Sequence, residues 1–120
     1  MLDQHDVAAG SFAEACREGT GNALRAVLHP SVVAICDGGG LVPAALGPVH
    51  GADDVVPLVI VLLCGKPHVE LTVEAVNGRA GVALRHAGRA VAVVAITAVH
   101  ARVTALWIVL NPEKLRGWHR

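Results

Sequence analysis

A single acid, Asp37, ends the apolar run "SVVAIC" and is followed by Gly38, Gly39 and Gly40. Glycine gives up more backbone entropy on folding than any other residue, so three in a row belong where the chain turns tightly or where something approaches the backbone closely. An aspartate leaving a buried strand beside an apolar cavity has its charged form disfavoured by desolvation, which suits a carboxyl that exchanges protons near neutral pH. The structural alternative is an Asx-type turn, in which the carboxylate accepts hydrogen bonds from the glycine amides. Aspartate adopts that turn readily, which favours the structural reading. Either way Asp37 stands at the rim of a site.

Other residue types with chemical potential are fewer. His50 could shuttle protons at a pocket mouth or simply anchor a loop, and Trp107 could form the flat wall of a ligand pocket or fill the core. An anion site at the helix start after His50 is disfavoured, because Asp53 and Asp54 already place negative charge there. His86 and His100 have no partner at ligand spacing, so neither a metal nor another cofactor is expected. Ser11, Ser31 and Cys36 lack a base and an orienting group, which argues against covalent catalysis. The chain has no tyrosine, so any enolate-stabilising donor would have to be histidine, tryptophan or asparagine. Cys16, Cys36 and Cys64 are odd in number and widely spaced, the pattern of reduced, buried thiols without disulfides.

Composition narrows the function class. The 120 residues fit one domain, 1–120, and they are 53% hydrophobic but only 2% aromatic, so valine, alanine and leucine must fill the core. Ten basic and ten acidic residues cancel, with no basic block to track phosphates, so direct nucleic-acid binding is not expected. The N-terminus carries acids where a secretory signal needs positive charge, and the longest apolar runs are too short to span a bilayer. The expectation is a cytoplasmic protein that does not enter membranes.

The elements that must position these residues follow from periodicity. Ala9, Phe12, Ala13 and Cys16 recur at helical spacing over residues 6–18, with Gly19 placed to end the helix. A short helix is predicted over 22–29, capped from Thr20 to Asn22 and stopped by Pro30, and then a strand over 31–36. Residues 51–64 fit either a strand by β-branching or a helix by length and acidic start; helix is preferred, with Pro57 early enough to cost little more than one backbone bond. From His68 the period becomes two, with Val69, Leu71, Val73 and Ala75 alternating against His68, Glu70, Thr72 and Glu74. Turns at "NGR" and "AG" then separate strands over 81–86, 89–99 and 102–111.

The predicted class is therefore α+β, with N-terminal helices packed on a strongly curved, mostly antiparallel sheet and a pocket between them. The last two strands are apolar on both faces: Val91, Val93 and Ala95 against Ala92, Val94 and Ile96, then Val103, Trp107 and Val109 against Leu106, Ile108 and Leu110. Helices can cover one face, so a homodimer through the other is expected.

At the C-terminus, Asn111 caps a helical turn, Pro112 takes its first position, Glu113 suits the dipole and Leu115 folds back on the core, leaving Glu113 and Lys114 as a contact surface. The stretches "LRAVLHPSVVAICDGGG", "PVHGADDV", "VEAVNGRAGVALR" and "LWIVLNPEKLRGW" together resemble the SnoaL-like, nuclear transport factor 2-like domain at the C-terminus of a group of extracytoplasmic-function sigma factors. The resemblance runs from about Phe12 to Trp118 and implies a cone-shaped α+β fold. It implies that the domain touches sigma modules and tunes their engagement with RNA polymerase, with Gly38, Gly39, Gly40, Asn111, Glu113 and Lys114 at or near that contact. The family's glycine run is usually followed by a basic residue, where this chain has Leu41. With no sigma modules ahead of Met1, the expectation is a detached relative or an isolated domain that cannot itself recognise a promoter.

Two functions follow as expectations. The first is a non-catalytic pocket domain that binds a small apolar ligand or a sigma-factor partner, with Asp37, His50 and Trp107 lining the pocket. The second is an isomerase, cyclase or epoxide hydrolase with Asp37 as its acid or base.

Overall fold

The structure, a computed structural model, describes residues 3–38 and 47–120; Gly39, Gly40 and Leu41 lie outside the described residues. Helix α1, Gln4–Glu18, begins earlier than its apolar spacing indicates, because Asp3 caps it by accepting the Asp6 N–H at 2.8 Å. Gly19 ends it at φ 71°, the left-handed conformation expected of a glycine at a helix C-terminus. Its inner side buries Ala8, Ala9, Phe12, Ala13 and Cys16. His5 is buried as well, its Nε2–H donating to the Ala80 carbonyl at 2.8 Å and pinning the helix start to the sheet.

Helix α2, Gly21–Val27, is capped by Thr20 but stops before the expected end at residue 29. Strand β1, Leu28–Asp37, takes over at once and contains Pro30 instead of starting after it. Leu28 pairs with Val103, the ladder is irregular until Val33 meets Ala105, and Pro30, which has no N–H to donate, falls inside that irregular stretch. A two-residue strand, β2, Val49–His50, pairs antiparallel with β1 where only a loop was expected. Helix α3, Ala52–Leu63, settles the ambiguous segment: Asp53 and Asp54 occupy its first turn, Pro57 lies inside it, and Val55, Val56, Val59 and Leu63 are buried.

Four strands follow: β3 Val69–Val76, β4 Arg79–His86, β5 Arg89–Val99 and β6 Arg102–Val109. Their tight turns place Asn77–Gly78, Ala87–Gly88 and His100–Ala101 at positive φ, the geometry that suits the twist of a two-residue hairpin. The sheet order is β2-β1-β6-β5-β4-β3, with β1 and β6 parallel and the other pairs antiparallel. No helix among the described residues is long and apolar enough to cross a membrane.

The sheet separates two apolar clusters. On the α1–α3 side lie Val32, Ala34, Val82, Leu84, Val94, Ile96, Leu106 and Ile108, packed with Phe12, Leu24 and Val59. On the other side, Val76, Ala83, Ala90 and Val93 meet Leu115 and Trp118 from a short helix α4, Pro112–Leu115, and the 3-10 turn Arg116–Trp118 after it. The C-terminal segment of the chain therefore covers part of the face that had been expected to be left entirely to a second subunit.

Three patterns depart from the sequence expectation, the first being that Val103, opposite the register shift between Thr97 and Ala98, joins Leu106 and Ile108 in the helix-side core and not the face of Trp107 and Val109. The register slips between Leu84 and Arg85 opposite β5, so Val91 bulges and joins the helix-side core rather than the side shared by Val93 and Ala95. In β3, Val69 and Leu71 pack inward, but Val73 is exposed and Glu74 is largely sequestered, because β3 is an edge strand and Arg85 draws the carboxylate over the sheet.

Candidate functional site

The parallel β1–β6 pairing brings Asp37 beside Val109 and thus delivers both strand ends to one corner. There the Leu110 N–H donates to the Asp37 carbonyl at 2.8 Å, and the Lys114 ammonium meets Asp37 Oδ2 at 2.5 Å. Lys114 is held in position by its local turn: Asn111 Oδ1 accepts from the Glu113 N–H, and the Asn111 carbonyl accepts from the N–H groups of Lys114 and Leu115. The Asp37 side chain is 19% exposed and that of Lys114 59%, so the pair is half sheltered and open to a partner. Gly38, the next residue, is buried, and Glu113 points to solvent with Arg116 at 3.2 Å. Asp37, Gly38, Asn111, Glu113 and Lys114 are thus one constellation.

Beside this corner is a cavity of about 440 Å³ lined by Val76, Asn77, Val93, Trp107, Lys114 and Trp118, among others, and it lies on the sheet face away from α1–α3 and not, as expected, between helices and sheet, where Phe12, Leu24 and Val59 pack the core. Trp107 is 47% exposed, so it is a wall and not core. Lys114 links the cavity to the Asp37 corner. His50 goes elsewhere: it is exposed and lines a separate groove with Arg25, Asp53 and Arg102, where Arg25 and Asp53 pair at 2.6 Å. His86 and His100 are exposed near strand ends, and among the described residues no group of three or more histidine, cysteine or acidic side chains is placed to hold a metal ion.

Sequence reasoning missed a polar network on the same sheet face. The Arg85 guanidinium grips both oxygens of Glu74, donates through Nε to the Trp118 carbonyl at 2.7 Å, and reaches Thr72 at 3.3 Å. Thr72 also donates to Glu74, and Arg120 approaches Glu74 from the other side at 2.5 Å. The Arg85 hydrogen bonds, then those of Thr72 and Arg120, outweigh desolvation and lower the Glu74 carboxyl to about 2. The same pairing raises the Arg85 guanidinium. The remaining tail contacts, Ala90 N–H to His119 Nδ1 at 2.8 Å and Arg120 N–H to the Gly88 carbonyl at 2.7 Å, strap the C-terminal segment across β4 and β5. An arginine directly after the apolar run "GVAL" was the available signal for this network.

No protein-family model and no curated protein matches the sequence. Solved structures do match. The extracytoplasmic function sigma factor SigJ of Mycobacterium tuberculosis aligns over 97% of this chain at 30% identity with a TM-score of 0.68, and the chain spans 45% of that protein. A SnoaL-like protein of Jannaschia aligns over 90% of this chain and 88% of its own length, at 17% identity and a TM-score of 0.58. An LEH-like epoxide hydrolase of M. tuberculosis aligns over 97% of this chain and 89% of its own, at 12% identity and a TM-score of 0.55.

Proposed function

From the premise that this chain is a SnoaL-like, nuclear transport factor 2-like domain, we propose that it is a non-catalytic regulatory domain whose Asp37–Lys114 corner docks onto sigma-type modules of the transcription machinery. The observation that carries this reading is the 2.5 Å ion pair, which joins the end of "AICDGG" to "NPEKL", two stretches far apart in sequence. Their exposed members, Glu113 and Lys114, offer opposite charges to a partner, and such rim charges govern encounter and register more than raw affinity. A sigma-type partner places the protein in the cytoplasm. The adjacent cavity, with its tryptophan walls, is sized for a small apolar ligand that would tune the docking surface through Lys114.

The test is capture of purified sigma modules by the immobilised domain, with the Glu113→Lys, Lys114→Glu double variant beside it. Capture by the native domain that falls at least about tenfold in the variant is the expected result; equal capture by both, or none by either, refutes the docking reading.

The enzyme alternative, an isomerase, cyclase or epoxide hydrolase working through Asp37, is disfavoured by Lys114. Asp37 Oδ2 is engaged by the Lys114 ammonium rather than open to a substrate. Turnover of apolar ketones, epoxides or polyketide-like compounds that disappears in Asp37→Asn would reinstate it.

A further inference from the structure

The cavity beside the docking corner has an uneven lining. Strands β5 and β6 give it an apolar floor of Val93, Ala95 and Val109. Trp107, from β6, and Trp118, from the 3-10 turn, are the two tryptophans of the chain, and both line it. Among the described residues that line it, Lys114 is the one charged group and none is acidic. Lys114 borders the cavity while its ammonium meets Asp37 Oδ2 at 2.5 Å. An ammonium carries three N–H donors, so that contact leaves donors for a second acceptor.

We propose that this cavity binds an aromatic carboxylate, whose ring lies against the tryptophans and whose carboxylate competes with Asp37 for the Lys114 ammonium. This deepens the proposed function and rests on its reading of the cavity as a ligand site: it fixes the chemical class of the ligand and the sign of its effect. Indole faces favour flat rings over flexible chains, and the volume of about 440 Å³ is in the range of pockets that enclose small organic ligands. A cation would meet Lys114 with no acid in the lining to offset it. A compact anion such as acetate would leave the floor and the exposed Trp107 uncovered.

The bound carboxylate becomes a second negative charge at an ammonium that Asp37 already holds, and the two carboxylates repel each other. The ligand and the Asp37–Lys114 pair therefore weaken one another, by the same factor in both directions. Because that pair joins the end of β1 to the "NPEKL" turn, the ligand loosens the docking corner.

Titration of naphthoate, and of naphthylmethanol substituted at the same ring carbon, into the purified protein at neutral pH tests this without any sigma modules. The two indole N–H signals of the isotope-labelled chain report binding by NMR. Naphthoate should shift both signals to saturation. Lys114→Met, which keeps the apolar stem, should weaken naphthoate at least about threefold and change the alcohol less than about twofold. Asp37→Asn, which frees the ammonium, should tighten naphthoate at least about twofold and leave the alcohol within that margin. Indole signals unmoved by either compound overturn the ligand site altogether. Naphthoate binding indifferent to Lys114→Met or to Asp37→Asn overturns the competition for the ammonium and leaves an apolar cavity. Where a variant fails to fold, the native chain decides: added salt should weaken naphthoate and not the alcohol, and equal responses overturn the proposal. Docking is read separately, by capture of sigma modules, so the two readings fail independently.

Discussion

At the residue scale, the Glu74–Arg85 pair is one that the sequence reading missed. Glu74 ionises at about 2 in the folded protein against an ordinary 4.5, so folding favours its charged form. Its contribution is fully present above about 4.5 and is lost as the pH falls toward 2. That shift corresponds to on the order of 3 kcal/mol, since the Glu74 side chain is only 15% exposed. Glu74→Gln should therefore lower the unfolding free energy at pH 7 by roughly that amount, leaving Arg85 buried without its counter-charge. Denaturant titrations of both proteins between pH 7 and pH 2 should show the gap closing as the pH falls. A gap that is constant with pH would mean that the pair adds nothing through its charge.

At the element scale, close backbone approach sets sharp limits. Gly81 lies in β4 where a Cβ would collide with the Val94 carbonyl and the Val76 side chain. Gly81→Ala should cost about 1–3 kcal/mol by overpacking, read as a lower denaturation midpoint with an unchanged slope; an unchanged midpoint would mean that β4 and β5 can separate freely. The elements themselves were largely legible. Helical spacing around Phe12, the alternation from His68 and the "NGR" turn each declare a local period, and the structure places a helix, a strand and a hairpin there. What stayed hidden was non-local. The extension of β1 through Pro30, the parallel β1–β6 pairing and the Val91 bulge depend on what lies across the sheet, which no window of sequence contains. For the same reason Asp37 and Lys114 could each be singled out, but not their contact, while His50 was assigned to a pocket that it does not share with Trp107.

At the scale of the whole molecule, the helices cover one sheet face and the C-terminal strap covers part of the other, leaving Trp107 47% exposed beside Val109 and Ala95. We infer that a second copy closes this face, since a two-fold interface would bury both copies of the tryptophan and roof the neighbouring cavity. Sedimentation at micromolar concentration should give a dimer, and Trp107→Glu should give a folded monomer; a monomer in both cases would remove the dimer and leave the docking corner untouched.

The central claim is that the end of β1 and the "NPEKL" turn act as one docking unit through the Asp37–Lys114 pair. Calorimetric titration of purified sigma modules into the native domain, Asp37→Lys, Lys114→Asp and the doubly exchanged protein tests it most directly. The account predicts that each single change weakens binding at least about tenfold and that the exchange restores part of the summed loss, a coupling of roughly 1 kcal/mol or more. Single variants that bind as tightly as the native domain, or an exchanged protein no better than the sum of its parts, would contradict it.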